Sequence, residues 1–356
     1  MKNLKVIIFY TSFFLFFFYS ANLAQDRISS IKEIVKKYTA SGDLNGVILI
    51  AEHGKLLFAQ SSGMANLAWG IPNDIETKFR IYSMSKQFTA MLIMQLVEKG
   101  KIDLNKSISS YLTYYRKDVG EKVTVHHLLT HTHGIEEGYD RLPPFLILEP
   151  TEQLIEKYFS NNLDLKPGEN FRYSGLLGYI VLGAIIESVT GKSYREVLQN
   201  NILDPLGMIN THYLDYRKII EKKASDYFRT NDGFEHRTQA YPVNADGASC
   251  LVSTVEDLLL WDQALYTNKL LTEANLKILL SPHVTQYAPQ YYGYGWYISD
   301  LDIAGQKKRI YYHTGGGTSF ILRSVSDQYT IISLNNLRSN KLYNICLEIL
   351  TQVASK

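Results

Sequence analysis

The sequence predicts an α/β (α+β) fold: an antiparallel sheet built from both chain ends, flanked by helices, with a mostly helical region inserted between them. Three observations carry this expectation. Strand patterning occurs at residues 46–61 and returns from 292 to 334, while helical patterning fills the middle of the chain. Phe88–Val97 is apolar on nearly every side, and a helix of that kind belongs inside a large protein rather than at its surface.

The chain has 356 residues, 46% hydrophobic and 20% charged, enough for two packed parts. A sheet part is expected over about 25–80 and 245–356, and a helical part over about 81–244. Net charge is +2 with Lys and Arg dispersed among acids, so no basic stripe points to nucleic acid. Lys2 and Lys5 precede the apolar run Val6–Tyr19, and Ser20–Ala24 supplies small residues. That layout predicts a signal peptide over residues 1–24 and export, to the periplasm or outside a bacterial cell. If the segment stayed uncleaved it would be a membrane anchor. The two cysteines, Cys250 and Cys346, read as buried free thiols, because two isolated cysteines do not make a disulfide framework.

In order, Ile28–Tyr38 reads as an amphipathic helix. Gly46–Glu52 and Leu56–Ser61 read as a hairpin turning at His53-Gly54-Lys55. Ile108–Leu112 leads toward a longer helical stretch, Gly178–Val189 is a second apolar helix ended by Gly191, and Glu196–Leu203 is amphipathic. Asn244–Thr254 is small and Gly/Ser-rich, with a helix over Val255–Tyr266. Tyr292–Tyr297, Arg309–Thr314, Ser319–Val325 and Thr330–Leu334 read as strands, and Asn340–Val353 as the closing helix. The apolar Phe145–Leu148, between Pro144 and Pro150, and the aromatic Tyr287–Trp296 are candidate pocket walls.

His126–Ile135 holds four histidines. His127 and His131 have the i, i+4 spacing of a zinc helix, but no local carboxylate or cysteine completes a set, so the imidazoles are read as hydrogen-bonding groups and no metal is expected. The chemistry is expected at Ser83 and Lys86. A residue three positions on shares a helix face, so the apolar helix would hold the Lys86 amine beside the Ser83 hydroxyl and aim its positive end at an alkoxide formed there. An amine that takes the proton makes the hydroxyl a nucleophile toward a carbonyl. Burial would bring lysine down from its ordinary value of about 10.4 to where it can act as a base. A second Ser-x-x-Lys, Ser29 to Lys32, opens an ordinary amphipathic segment and is read as solvated.

Several stretches together resemble the serine β-lactamase and penicillin-binding-protein superfamily, in its class C-like branch. Ser83-Met84-Ser85-Lys86 is similar to the nucleophile motif, His127-Leu128-Leu129-Thr130-His131-Thr132 to a structural segment, and Phe171-Arg172-Tyr173-Ser174-Gly175 to the Tyr-x-Asn motif. His313-Thr314-Gly315 is similar to a third motif that is commonly Lys-Thr-Gly. Further matches are Leu203–Met208, Ser253–Leu258 and Tyr294-Gly295-Trp296. The resemblance implies a β-lactamase/transpeptidase-like fold with Ser83 acylated, Lys86 as its proton partner, Tyr173 as general acid/base and His313, Thr314 and Gly315 edging the site. It implies an oxyanion hole from the N–H groups of Ser83 and Gly316, and no cofactor.

The departures bear on substrate. Gly175 stands where the motif has Asn, which removes an amide that can hold a substrate carbonyl. His313 stands where a permanent positive charge is common, weakening a β-lactam carboxylate contact near neutral pH. His133 replaces a small residue. The expectation is an exported serine hydrolase acting on a carboxylic ester, small amide or peptide. The alternatives are a β-lactamase or D,D-peptidase, and a catalytically silent binding or sensor module of the same fold. Oligomeric state is not legible.

Overall fold

The computed structural model describes residues 25–138, 149–215, 217–237 and 246–354. The expected signal segment, residues 1–24, and the candidate pocket wall Phe145–Leu148 lie outside the described residues. The first helix, α1, covers residues 25–40. A hairpin follows, β1 (Gly46–Glu52) and β2 (Lys55–Ser62). Its turn takes left-handed φ at two successive residues, 50° at His53 and 72° at Gly54, the geometry whose twist matches that of paired strands.

The remaining strands of the main sheet come from the other end of the chain: β3 (Val284–Tyr287), β4 (Gln290–Tyr292), β5 (Tyr297–Ile303), β6 (Gln306–Gly315), β7 (Ser319–Ser324) and β8 (Tyr329–Asn335). The sheet order is β3-β4-β5-β6-β7-β8-β1-β2, and each neighbouring pair is antiparallel. The join between the ends is β1 on β8, with Gly46 opposite Asn335 and Glu52 opposite Tyr329. Side chains alternate across a strand, and here both faces are buried. Val47 and Leu49 of β1 pack into the core shared with the helical region, while Ile48 and Ile50 pack with the end helices.

Four helices fix the layers: α2 (Ser85–Glu98), α3 (Leu177–Thr190), α4 (Val255–Ala264) and α5 (Leu342–Ala354). Helices α1 and α5 cover one sheet face through Ile31, Val35, Ile345 and Ile349. On the other face lies α2, buried without a break from Ser85 to Leu96. Phe88 stacks on Trp261 of α4 at 4.2 Å, and Trp261 Nε1 donates to Gln87 Oε1 at 2.9 Å. Burying one such side chain stabilises the fold by roughly 1.5–3 kcal/mol, and Phe88→Ala would cost about 3–5 kcal/mol. Gly191, at φ 68°, ends α3 as expected.

The structure corrects several local expectations. Ile108–Leu112 does not lead into a long helix but forms a single tight turn, Ile108–Ser110. Tyr292–Tyr297 is not one strand: Tyr292 ends β4, Tyr297 opens β5, and residues 293–296 connect them. There, a Cβ on Gly295 would lie 2.9 Å from the Lys86 carbonyl, so that turn is pressed against the start of α2. Within the Gly/Ser-rich stretch, Leu251–Ser253 is a strand between Phe79–Arg80 and His212–Tyr213. Trp296, at the end of the candidate pocket wall, is fully buried. Cys250 and Cys346 are both buried free thiols. No described helix is long and apolar enough to cross a membrane.

Candidate active site

The chain enters the site from Phe79–Arg80 and turns sharply. Tyr82 adopts φ 46°, an uncommon conformation for a bulky residue that is held only by its surroundings. The surroundings do hold it. Ile81 N–H donates to Leu251 O at 2.9 Å, Ser319 Oγ donates to Ile81 O at 2.8 Å, and Tyr82 Oη donates to Asp226 at 3.2 Å. Ser83 therefore sits in a tight turn, Tyr82–Met84, just ahead of α2 rather than within it. The helix still opens at its hydroxyl, where the unpaired first-turn N–H groups lie.

Lys86, fully buried, is one turn on. Its Nζ lies 3.2 Å from Ser83 Oγ, 2.7 Å from Gly175 O and 3.3 Å from Ala248 O. Loss of solvent holds its pKa down at about 8, while Asp246, Glu137 and Cys250 oppose the shift. Two of the three contacts are carbonyl oxygens, which only accept. A neutral amine has two hydrogens for those carbonyls and one lone pair, which is left facing the Ser83 hydroxyl. The same pocket therefore serves the proton-accepting form of Lys86.

The Tyr173 ring lies beneath that amine, with Nζ 5.3 Å from its centroid, and its phenol interacts with the Ser83 hydroxyl. Burial pushes the Tyr173 phenol up, and the Ser83 contact only partly offsets this. Lys86 thus gives up its proton well before Tyr173 does. Gly175 brings its carbonyl to the site where the motif has an amide side chain.

His313 is fully buried. Its Nδ1 faces the Thr314 carbonyl at 2.7 Å and its Nε2 faces Tyr292 Oη at 3.1 Å. A carbonyl cannot donate, so the proton sits on Nδ1 and Nε2 accepts from Tyr292. Tyr292 Oη in turn lies 3.2 Å from His131 Nε2, and His131 Nδ1 accepts from Ser174 N–H at 3.0 Å. Both ends of the chain are backbone groups, so every proton in it is fixed. Ser174 N–H donates to His131, His131 to Tyr292, Tyr292 to His313, and His313 to Thr314. Burial and the nearby Lys86 hold His313 down at about 3, so it is neutral. No cation stands at this position of the third motif.

Thr314 is exposed. Gly315 and Gly316 stand where side chains would not fit: a Cβ on Gly315 would lie 1.9 Å from Ile81 O, and one on Gly316, at φ 59°, 2.9 Å from Tyr82 Cγ. Arg237 Nη1 donates to Gly316 O at 2.9 Å, with its guanidinium carbon 4.3 Å from the Tyr82 ring centroid.

The other histidines of the cluster have separate tasks. His127 forms a capping box with Thr124, His126 Nδ1 pairs with Tyr294 Oη at 2.7 Å, and His133 Nδ1 accepts from Ile135 N at 3.0 Å. The second Ser-x-x-Lys lies on α1, with Ser29 and Lys32 both exposed. Sequence reasoning missed Arg237 and Asp246, and took Tyr292 only as part of a strand and a pocket wall. Asp246 Oδ1 accepts from the N–H groups of Ala248 and Ser249 at 2.9 Å each, which orients the Ala248 carbonyl toward Lys86. A carboxylate two residues before a small-residue turn was the available signal.

The beta-lactamase family matches residues 31–347. Penicillin-binding protein 4* of Bacillus subtilis is 26% identical over 90% of this chain and 74% of its own length. A teichoic acid D-alanine hydrolase of Staphylococcus aureus is 27% identical over 89% of this chain and 77% of its own. The crystal structure of a penicillin-binding protein from Bacillus halodurans superposes with a TM-score of 0.79 at 29% identity, covering 90% of this chain and 98% of that one. The chain belongs to the beta-lactamase family, as a serine hydrolase related to the penicillin-binding proteins.

Proposed function

We propose that the protein is an exported hydrolase that cleaves a carboxylic ester or small amide through an acyl-Ser83 intermediate. The observation that carries this reading is the Lys86 amine, 3.2 Å from Ser83 Oγ and lowered by burial to about 8. In this mechanism neutral Lys86 takes the Ser83 proton as Oγ attacks the carbonyl. The oxyanion is received by the N–H groups of Ser83 and Gly316, each worth about 2.7–4 kcal/mol of barrier. Tyr173, still a phenol, passes the proton from Lys86 to the leaving group, and water then attacks the acyl-enzyme by the reverse route. His313 acts as a neutral positioning group and Thr314 lines the substrate path.

Two features favour an ester or small amide over a β-lactam. His313 is neutral, so it offers no charge to a fixed carboxylate, and Gly175 offers no side-chain amide. The name of the Staphylococcus aureus relative, a D-alanine hydrolase acting on teichoic acid, supports a small acyl group on a larger alcohol. Export rests on the N-terminal segment, residues 1–24.

The test is turnover of p-nitrophenyl butyrate and a chromogenic cephalosporin by the wild type and Ser83→Ala in parallel. Ester turnover that vanishes in the variant, with little cephalosporin cleavage, supports the reading. Fast cephalosporin cleavage would move the assignment to a β-lactamase. Silence on both, with no labelling of Ser83 by a fluorophosphonate, would leave a binding module.

A further inference from the structure

Thr314 and Tyr312 share one face of β6, since side chains alternate along a strand. On that face a cleft of about 450 Å³ opens, with Thr314 and Gly317 at one end and Arg338 lining it as well. This is an ordinary size for a small-molecule site. Aromatic rings make its floor and walls. Tyr297 and Tyr312 stack at 5.3 Å and 17°, and Tyr343 of α5 lies 5.1 Å from Tyr312. The same Tyr297 stacks on Tyr173 at 6.0 Å and 24°, so the rings run without interruption from the catalytic centre into the cleft. Tyr287 stands at the rim, 59% exposed.

Charge selects the occupant. Arg338 is the one charged side chain lining the cleft; it is exposed, and no described residue pairs with it. The nearby Asp43 is already held by Ser339 and Lys341. Amides from Gln286, Gln290 and Asn340 also line it. Gln286 Oε1 is buried without a hydrogen-bond partner, a state that costs free energy until a donor arrives. Tyrosine faces suit the C–H groups of a sugar or polyol, their hydroxyls and the amides suit its hydroxyls, and an unpaired guanidinium suits a phosphate.

The geometry points to a second function for this cleft: it is a subsite for the part of the substrate remote from the scissile carbonyl, and it takes a polyhydroxylated chain bearing negative charge, a sugar or polyol phosphate. The inference rests on the hydrolase reading for its link to turnover, but binding can be tested apart from it. Ser83→Ala protein is titrated by calorimetry with a synthetic glycerol phosphate oligomer and, separately, with an uncharged N-acetylglucosamine tetramer. The charged oligomer is expected to bind, more weakly as salt rises. Arg338→Gln and Tyr343→Ala, each made in that background, should weaken it about tenfold. Tyr343→Phe should keep binding, which guards against a folding defect. In the Ser83 enzyme all three should leave p-nitrophenyl butyrate turnover unchanged, because that ester carries no polyol phosphate for the cleft to hold.

No binding of either oligomer, or binding indifferent to both substitutions, overturns the proposal. Equal, salt-insensitive binding of the uncharged tetramer overturns the charge assignment. Binding as expected in a protein that turns over no ester sinks the reaction reading and supports the cleft.

Discussion

Lys86 holds the Gly175 carbonyl at 2.7 Å, so the motif position that lacks an amide side chain still reaches the amine through its backbone. Together with Ala248 O, this carbonyl uses both hydrogens of a neutral amine and leaves the lone pair for Ser83. Activity should therefore follow the deprotonated amine. Lys86 sits at about 8, so kcat/KM is expected to rise as pH climbs through about 8 and level off above it. Lys86→Arg, which stays charged at every working pH, should lower kcat about 10²–10⁴-fold. A profile flat from pH 6 to 9 would remove Lys86 as the base.

Asp246 contributes most among the charges that oppose the desolvation of Lys86, and its carboxylate orients the Ala248 carbonyl. Asp246→Asn keeps an acceptor oxygen for the turn and removes the charge. With that opposition gone, the Lys86 pKa should fall further, and the rising limb of kcat/KM should move to lower pH by about one unit. A limb that stays in place would restrict Asp246 to holding the turn.

The sequence made the fold and the Ser83–Lys86 pair legible because both rest on local pattern: β-alternation at the two chain ends, and an all-apolar helix behind an i, i+3 pair. The rest depends on contacts between distant residues. Tyr292 meets His131 across 161 positions and His313 across 21, and nothing in Tyr292-Gly293-Tyr294 marks which tyrosine bridges them. Reading Tyr292–Tyr297 as one strand failed for a related reason. Its aromatic content is strand-like, but Gly295 takes φ 78° to pack on α2, and that breaks the ladder. The strand Leu251–Ser253 was hidden by the small residues before it.

Gly316→Ala should separate oxyanion geometry from folding. The new Cβ would meet Tyr82 Cγ at 2.9 Å and Arg237 Nη2 at 3.0 Å, at a φ of 59° that disfavours any side chain. In the proposed mechanism, displacing this residue moves its N–H from the oxyanion. A fall of about 10²–10³ in kcat is expected, with a smaller change in KM, while circular dichroism stays native. Full activity in a folded variant would take Gly316 out of the oxyanion hole.

Tyr292→Phe should strand two imidazole nitrogens at once, His131 Nε2–H without an acceptor and His313 Nε2 without a donor. Buried polar groups left unpaired cost about 1–3 kcal/mol, readable as a shift in the urea midpoint. Nitrogen-15 spectra of the wild type should show His313 protonated on Nδ1 and His131 on Nε2. The reverse tautomers would contradict the proton order assigned to the chain.

Acid stability gives the broadest check, since it reads three neutral imidazoles together. His131, His133 and His313 are at most 2% exposed, and burial is the leading cause that lowers each below its ordinary 6.5, His133 and His313 to about 3. At pH 5.5 the unfolded chain binds a proton at each of these sites and the folded chain does not. Stability is therefore fully present above the unfolded value of 6.5 and lost as pH falls toward the folded values. Between pH 7.5 and 5.5 the three cost roughly 4 kcal/mol together. Asp226 and Asp257 act in the opposite sense, because burial raises both above 3.8. Urea unfolding at the two pH values should show a marked net loss at pH 5.5. Equal stability at both would mean that these imidazoles ionise inside the fold, and the neutral His313 on which the substrate argument depends would have to be given up.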